Sequence, residues 1–221
     1  MKYIAKIKTD FPTKFGLPRQ SGLNDGIKGK IIFEKEYRNP DAVRGLDEFS
    51  HIWLIWEFSE RKKEKWSPTV RPPLLGGNEK MGVFATRSPF RPNPIGLSSV
   101  KIEKIEITDN LGPVIYVSGA DMMDGTPIFD IKPYLPYTDS RADASGGFTD
   151  NLNERKLEVV FPKGLASEFK KEKLDELLCA LSGDPRPSYI EDPERVYGFL
   201  FCNREVRFKV EKSRLTVIEV K

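Results

Sequence analysis

The sequence has little of the two residue types on which many catalytic sites depend. Its 221 residues include one histidine, His51, and two cysteines, Cys179 and Cys202. So few cysteines exclude a disulfide scaffold and a zinc site of the usual cysteine and histidine spacing, and we expect two buried thiols. His51 lies in the apolar run 49–58. Because we expect that run to be a strand buried on both faces, a histidine-dependent mechanism is not favoured.

Long hydrophobic runs are also missing. A transmembrane helix needs about 18 or more apolar residues in succession, and no segment provides them. Residues 1–8 alternate between polar and apolar side chains instead of forming the apolar centre of a signal peptide. We therefore expect a soluble, cytoplasmic protein that does not enter a membrane.

Charge of one sign is not in large excess. The chain carries 36 basic and 33 acidic residues, a net charge of +3, which is too balanced to indicate a nucleic-acid binder. The segment 61–91 is different, because it holds eight basic and two acidic residues. Such a patch could contact phosphates, and the alternative is a solvated loop that happens to be basic.

Familiar nucleotide-binding signals are absent. No G-x-G-x-x-G follows a predicted strand, and the segment 76–80, Gly-Gly-Asn-Glu-Lys, lacks the Gly-Lys-Ser/Thr ending of a P-loop. A Rossmann cofactor domain, a kinase and an ordinary nucleotide hydrolase are therefore excluded.

The residues that are present predict a mainly β protein. Short alternating or apolar segments separated by turn residues indicate a closed or partly closed antiparallel β-barrel. A slip in the alternation near Lys104 predicts a β-bulge. The predicted strands cover residues 3–7, 30–33, 48–58, 82–86, 97–107 and 114–120.

A second, smaller domain of α+β type is predicted after a polar connection over 137–153. A strand at 157–161 is followed by Ser167 as a helix N-cap, by leucine and phenylalanine at helical spacing, and by Gly183 as the helix end. Three further strands follow at 196–201, 205–210 and 215–220. The division places the barrel at 1–145 and the second domain at 150–221.

Three loops carry the residues that point to chemistry. Three prolines make the segment after the strand at 82–86 rigid, so Arg87 and Arg91 could form a preorganised clamp for a carboxylate or phosphate. The alternative is a barrel-corner loop with its arginines in solvent.

The second loop, 122–134, contains the turn Asp124-Gly125 beside the Thr126 hydroxyl, and the alternative is a surface turn. If this stretch is extended, Lys132 shares a face with Asp130. The third loop, 15–23, could frame a small polar ligand with Arg19 and the Gln20 amide, although a connecting loop explains it as well.

Together these segments resemble the TsaA-like family, also called TrmO. The resemblance covers almost the whole chain, and the string 87–97 is its most specific part. The segments that carry it are Pro18-Arg19-Gln20, Arg44-Gly45-Leu46, 49–54, Arg71-Pro72-Pro73, 82–97, 124–134, Asp184-Pro185-Arg186-Pro187 and Val206-Arg207-Phe208.

The resemblance implies an S-adenosyl-L-methionine-dependent tRNA methyltransferase. Bacterial members methylate N6 of N6-threonylcarbamoyladenosine, the modified adenosine beside the anticodon. The family fold is a β-barrel unlike the Rossmann methyltransferases, and its members form homodimers with the site near the subunit interface. The partner is then a tRNA anticodon stem-loop.

Carried over residue by residue, the resemblance implies a cofactor pocket and a set of groups around it. At Ser59 and Glu60 this sequence departs from the family pattern, which has a histidine-glutamine or similar pair. The implied cofactor residues are Pro18, Arg19, Gln20, Ser59, Glu60, Arg87, Leu97, Asp124, Gly125, Thr126 and Pro127.

The acceptor nitrogen must lose a proton, and Asp124, Asp130, Tyr134 or solvent could take it. Arg91 and Lys132 would contact the RNA. The competing hypothesis is a non-catalytic RNA-binding or regulatory barrel that retained the fold, and the departure at Ser59-Glu60 is the one feature that favours it.

Overall fold

Six strands form a closed barrel in the computed structural model, which describes residues 1–60, 66–150, 156–186 and 192–221. The strands follow the order β1-β2-β7-β6-β3-β8, and every neighbouring pair is antiparallel. This confirms the predicted mainly β fold with a barrel. The barrel strands are β1 (Ala5–Lys8), β2 (Lys28–Phe33), β3 (His51–Glu57), β6 (Ile95–Thr108), β7 (Gly112–Ser118) and β8 (Pro127–Pro133), while β4 (Thr69–Val70) and β5 (Met81–Gly82) pair separately.

Strand β3 shows how the sequence builds the barrel interior. Ile52, Leu54 and Trp56 point inward and are buried, while the residues between them are half-buried. The expectation that this strand is buried on both faces was wrong. Only the inner face of a barrel strand lies in the core, and His51 stands on the outer face, half-buried.

Strands β5 and β6 show one wrong and one confirmed prediction. The predicted strand 82–86 stops at Gly82, because Val83–Ala85 turns into a 3-10 helix that Thr86 N–H closes on the carbonyl of Val83. The slip predicted near Lys104 is real. The β6–β7 register shifts between Ile102 and Lys104, as a bulge requires.

The segment 122–134 is a loop only in its first part. Residues Pro127–Pro133 form β8, and the two prolines stand at its first and last positions, where a missing N–H is tolerated. The Lys132 Nζ lies 3.1 Å from Asp130 Oδ2, so these two side chains share a face as expected for extended chain.

The C-terminal part is a four-stranded sheet with a helix. Its strand order is β10-β11-β12-β9, with β9 parallel to β12. The helix begins at Lys171 and not after Ser167, whose hydroxyl donates to the Gly164 carbonyl and closes a separate single turn. The elements are β9 (Glu158–Val160), α2 (Lys163–Ala166), α3 (Lys171–Ser182), β10 (Tyr197–Phe201), β11 (Arg204–Glu211) and β12 (Arg214–Val220).

The predicted connection 137–153 contains two short helical turns. These are α1 (Pro136–Asp139) and the 3-10 helix Gly147–Thr149, and residues 151–153 lie outside the described residues. Further 3-10 turns occur at Lys35–Tyr37, Pro40–Val43, Leu46–Glu48 and Pro73–Leu75. The proposed boundary between 145 and 150 stays a prediction.

One continuous hydrophobic cluster joins the barrel to the C-terminal sheet. The Phe11 ring, from the chain after β1, lies 5.1 Å from the Phe201 ring and 6.2 Å from the Phe199 ring. None of the helices in the described ranges is long and apolar enough to cross a membrane. The basic residues Arg61, Lys62, Lys63 and Lys65 and the residue Pro187 lie outside the described part of the chain.

Candidate functional site

The barrel topology brings the three candidate loops to one end. Because neighbouring strands are antiparallel, β1, β7 and β3 finish at the same end at which β2, β6 and β8 begin. The connections 9–27, 58–94 and 119–126 therefore meet there, and we call this the loop end. They carry Pro18-Arg19-Gln20, Ser59-Glu60 with Arg87, and Asp124-Gly125-Thr126.

A direct contact joins the first two loops. Arg87 Nη1 donates to Gln20 Oε1 at 2.6 Å, and Arg87 is otherwise exposed. An exposed guanidinium held at one nitrogen keeps further N–H donors for a bidentate contact with a carboxylate or phosphate. This fits the clamp that the sequence predicts for Arg87.

The third loop reaches the same place through Asp121, a residue that the sequence analysis did not select. Asp121 Oδ1 accepts from the Ser98 hydroxyl at 2.6 Å, and Ser98 Oγ in turn accepts from Trp56 Nε1 at 2.9 Å. The backbone N–H of Ser21 also donates to the Asp121 carboxylate. Asp121 thus links β6, the first loop and its own loop.

Burial raises the pKa of the Asp121 carboxyl. The Ser98 hydroxyl, the backbone amides of Asp121 and Ser21, and the charge of Arg87 oppose that effect without cancelling it. The result is a half-buried carboxyl that holds its proton more strongly than an ordinary aspartic acid.

The turn Asp124-Gly125 is fastened to β1. Asp124 Oδ1 accepts from Thr9 N–H at 3.1 Å, and Asp124 Oδ2 lies 3.2 Å from Lys8 Nζ. Gly125 N–H donates to the Ile7 carbonyl at 2.8 Å. Gly125 has a φ of +78°, which favours glycine, and an added Cβ would meet no atom of the described residues within 4 Å. The space beside this turn is therefore open.

Thr126 and Pro127 complete that turn. The Thr126 hydroxyl donates to the Met123 carbonyl at 2.8 Å, and the residue is 5% exposed. Pro127 opens β8 beside Lys6 of β1. The four residues Asp124–Pro127 thus form a rigid rim at the loop end.

The first loop rests on the C-terminal part of the chain. Arg19 Nη2 donates to the Arg186 carbonyl at 2.9 Å, and the Arg186 guanidinium pairs with Asp184 at 2.8 Å. An added Cβ at Gly16 would lie 2.7 Å from the Phe199 ring, so the loop approaches β10 closely. These contacts fix the chain on both sides of Pro18.

Both ends of the first loop are held by one ion cluster. Lys173 Nζ contacts Asp10 and lies 2.9 Å from Glu176 Oε2, and Glu176 Oε1 accepts from Lys28 N–H at 3.0 Å. Burial alone would lower the pKa of Lys173, but hydrogen bonds to the two carboxylates outweigh it and raise that pKa. Helix α3 therefore clamps the loop where it leaves β1 and where it enters β2.

The remaining residues expected to contact the cofactor are exposed. Leu97 stands on the outer face of β6 with 54% of its surface accessible, and Ser59 and Glu60 follow β3 in solvent. Ser59 N–H donates to the Glu57 carbonyl at 2.9 Å. Ser59 and Glu60 lie at the loop end, and Leu97 lies on the strand that begins there.

The two residues expected to contact RNA have different surroundings. Arg91 Nη1 donates to the carbonyls of Thr86 and Val83 at 2.6 and 3.1 Å, and its guanidinium lies over the Phe84 ring. It braces its own loop. Lys132 is exposed beside Asp130.

Tyr134 lies at the opposite end of the barrel. Strand β8 begins at the loop end and runs seven residues, roughly 20 Å, before Tyr134. Its ring lies 5.5 Å from that of Trp53 and 6.2 Å from that of His51. Within one chain, the structure therefore separates Tyr134 from Arg87 and Asp124, with which the sequence analysis had grouped it.

The groups at the loop end fit the expected methyl donor. S-Adenosylmethionine has a carboxylate, an ammonium group and a sulfonium. The loop end offers a guanidinium at Arg87 for the carboxylate and an amide oxygen at Gln20 for the ammonium group. The open space beside Gly125 adjoins the same end.

The sequence contains one signal that could have found Asp121. An acidic residue directly after the predicted strand 114–120 stands where the chain leaves the barrel, at its rim. Its partners Ser98 and Ser21 are distant in sequence, so only the closed barrel brings them together.

Comparison with known proteins agrees with this geometry. The family model for the tRNA-methyltransferase O N-terminal domain matches residues 6–140, and that for the TrmO C-terminal domain matches 154–221. A tRNA (adenine(37)-N6)-methyltransferase of Escherichia coli K12 is 36% identical over 222 residues, which cover 97% of this chain and 94% of that protein. A protein of the same name from Eikenella corrodens is 47% identical over 170 residues, 75% of this chain and 93% of the relative.

Two further matches concern the cofactor and the fold. A relative from Pseudomonas aeruginosa, 36% identical over 96% of this chain and 93% of its own, is provisionally named an S-adenosylmethionine-dependent methyltransferase. A crystal structure of TrmO superposes with a TM-score of 0.79 at 29% identity, covering 99% of this chain and 96% of the other. With both domain models matched along nearly its whole length, the chain belongs to the TrmO family of tRNA methyltransferases.

Proposed function

We propose that the protein transfers a methyl group from S-adenosyl-L-methionine to N6 of adenosine 37 in tRNA. The observation that carries this proposal is the meeting of the three motif loops at one barrel end, with Arg87 bonded to Gln20 at 2.6 Å. The name of the Escherichia coli relative states the same reaction at the same position. We further propose that the acceptor is N6-threonylcarbamoyladenosine beside the anticodon, as the family resemblance implies.

The cofactor is held, in this proposal, by the loop end. Arg87 binds the carboxylate of S-adenosylmethionine, while Pro18, Arg19 and Gln20 and the rim Asp124–Pro127 line its pocket. Leu97, Ser59 and Glu60 contribute from β6 and the end of β3. When bound, the cofactor supplies an electrophilic methyl group on sulfur, and the protein's main task is to hold acceptor and donor in line.

The tRNA partner is proposed to extend from the loop end along β8 to Lys132, which lies near the other end of that strand. Lys132 is exposed and its ion pair with Asp130 is solvent-screened, so a phosphate can compete for it. Arg91 acts by shaping the loop that meets the RNA. We also propose that the protein is a cytoplasmic homodimer with Leu97 near the subunit interface. A partner subunit there would explain why this apolar side chain is 54% exposed in the single chain.

The sequence offered Asp124, Asp130 and Tyr134 as groups that accept the proton of N6. Asp124 lies beside Lys8 and Asp130 beside Lys132, so each of these two carboxylates already has a lysine partner. Tyr134 lies at the other barrel end. Of these three, Asp124 is best placed at the loop end, and we assign it to the cofactor rim.

The test is a methylation assay on the purified protein. It is incubated with S-adenosylmethionine and tRNA that carries the threonylcarbamoyl group, and the nucleosides are separated and weighed. We expect the threonylcarbamoyladenosine peak to gain one methyl mass. No gain with cofactor binding intact would indicate another acceptor, and no gain without binding would favour the non-catalytic RNA-binding barrel.

A further inference from the structure

We infer that Asp121 is the general base that accepts the N6 proton of the adenosine. This inference rests on the proposed methyl transfer and goes beyond it, because neither the family resemblance nor the expected site residues include Asp121. Its position carries the inference. Asp121 is bonded to Ser98 on β6 and to the backbone of Ser21 in the first loop, while belonging to the third.

The surroundings of Asp121 suit a base. Its hydrogen-bond partners are the Ser98 hydroxyl and backbone amides, and Arg87 is the charged group whose field reaches it. Trp56, behind Ser98, is neutral and donates only to the serine. In the described residues no ion pair neutralises this carboxylate, whereas lysines lie within 3.2 Å of both Asp124 and Asp130.

The hydrogen bond from Ser98 fixes the orientation of the Asp121 carboxylate. Ser98 is fully buried, and its oxygen accepts from Trp56 Nε1, so its single proton is committed to Asp121 Oδ1. Asp121 itself is half-buried and stands in the connection 119–126 at the loop end, so part of the residue is accessible there. A base needs this combination of a fixed orientation and access to its substrate.

The proton transfer balances as one displacement. The N6–H bond breaks and its proton passes to a carboxylate oxygen of Asp121, while the electron pair left on N6 forms the new bond to the methyl carbon. The methyl–sulfur bond breaks, and its electron pair stays on sulfur. Asp121 ends protonated and returns the proton to water, and burial makes its carboxylate more basic than that of an ordinary aspartate.

The test compares Asp121→Asn with the wild-type protein. Asparagine keeps an oxygen for the Ser98 hydroxyl but cannot take a proton at neutral pH. We expect the rate of methyl transfer at saturating tRNA and S-adenosylmethionine to fall roughly 100-fold or more, the usual contribution of a general base. Calorimetric affinity for S-adenosylmethionine should stay within about threefold, and Asp121→Glu should recover part of the rate.

The pH profile separates a base from a structural residue. The wild-type rate should fall as the pH drops through the pKa of Asp121, and this acid limb should be absent in Asp121→Asn. The control is Asp109→Asn, in the exposed turn at the opposite barrel end, which should retain both rate and profile. Circular dichroism confirms that each variant is folded.

Three results would overturn the inference. These are a wild-type rate in Asp121→Asn, an acid limb that survives the substitution, and a loss of cofactor binding that accounts for the lost rate. Failure of the proposed function is visible separately, since the wild-type protein would then give no methylated nucleoside, and that result also overturns the inference.

Discussion

Two regions of the molecule bury a carboxyl group. One is the loop end, which holds Asp121, and the other lies beneath the first loop and holds Glu176. Burial raises the pKa in both cases. Glu176 is 2% exposed, and its two oxygens are taken by Lys173 and by Lys28 N–H. Asp121 is half-buried and, among the described residues, accepts from a hydroxyl and backbone amides.

The difference lies in what neutralises each charge. At Glu176 a lysine supplies the opposite charge, so the cluster can only hold the chain together. Among the described residues no ion pair supplies the opposite charge at Asp121, so its carboxylate stays available to a substrate. A raised pKa alone therefore does not distinguish an anchor from a functional group, whereas the partners do.

Removing the lysine should have the largest effect on stability. Lys173→Met leaves Asp10 and Glu176 without their shared cation, and breaking a buried pair in this way costs about 3–5 kcal/mol. Because Lys173 is partly exposed, we expect about 3 kcal/mol, measured by urea unfolding. Lys171→Met, on the exposed start of the same helix, should change stability by less than about 0.5 kcal/mol. Equal stability of the two variants would show that the cluster is not an anchor.

Adding a methyl group beside Trp56 should have an intermediate effect. In Gly96→Ala the new Cβ would lie 2.2 Å from the Trp56 ring, so the ring must move. Overpacking of this kind costs about 1–3 kcal/mol. Gly82→Ala is the matched control, since in the part of the chain that the structure describes its Cβ would meet no atom within 4 Å. A Gly96 variant as stable as the Gly82 variant would contradict this packing.

The smallest effect concerns the stability of Asp121→Asn. A carboxyl whose pKa is raised on folding destabilises the folded state above that pKa, and the penalty vanishes below the unfolded value of about 3.8. We therefore expect the variant to be slightly more stable than the wild-type protein at pH 7, with the difference lost as the pH falls towards 3.8. Thermal unfolding across this pH range checks the sign, and a less stable variant at pH 7 would be inconsistent with it.

The sequence predicted the strands better than their ends. Alternation located β1 and β6 and even the bulge near Lys104, because a barrel strand must place every second side chain in the core, and short apolar segments located β2 and β7. It missed β8, whose prolines resemble loop residues when their places at the strand ends are unknown. The helix start moved from Ser167 to Lys171, because Ser167 bonds backward to Gly164.

The sequence predicted which loops carry the candidate site, but it did not predict how their side chains contact one another. The resemblance identified Gln20 and Arg87, and their contact follows from the antiparallel order of β1, β2, β6 and β3. Asp121 was missed because its partners come from three separate segments. The sequence also did not predict that the C-terminal part anchors the first loop. Glu176 and Lys28 are distant in sequence, and the fold brings the Glu176 carboxylate to the Lys28 N–H.

The most direct test of the account is calorimetric binding of S-adenosylmethionine to three proteins. The wild-type protein should bind, and Arg87→Ala should bind at least about 10-fold more weakly, since a charge-assisted contact contributes about 1.5–3 kcal/mol. Arg44→Ala, an exposed arginine paired with Asp41 at the opposite barrel end, should bind as the wild-type protein does. Equal affinity of the Arg87 variant and the wild-type protein would show that the cofactor does not bind at the loop end.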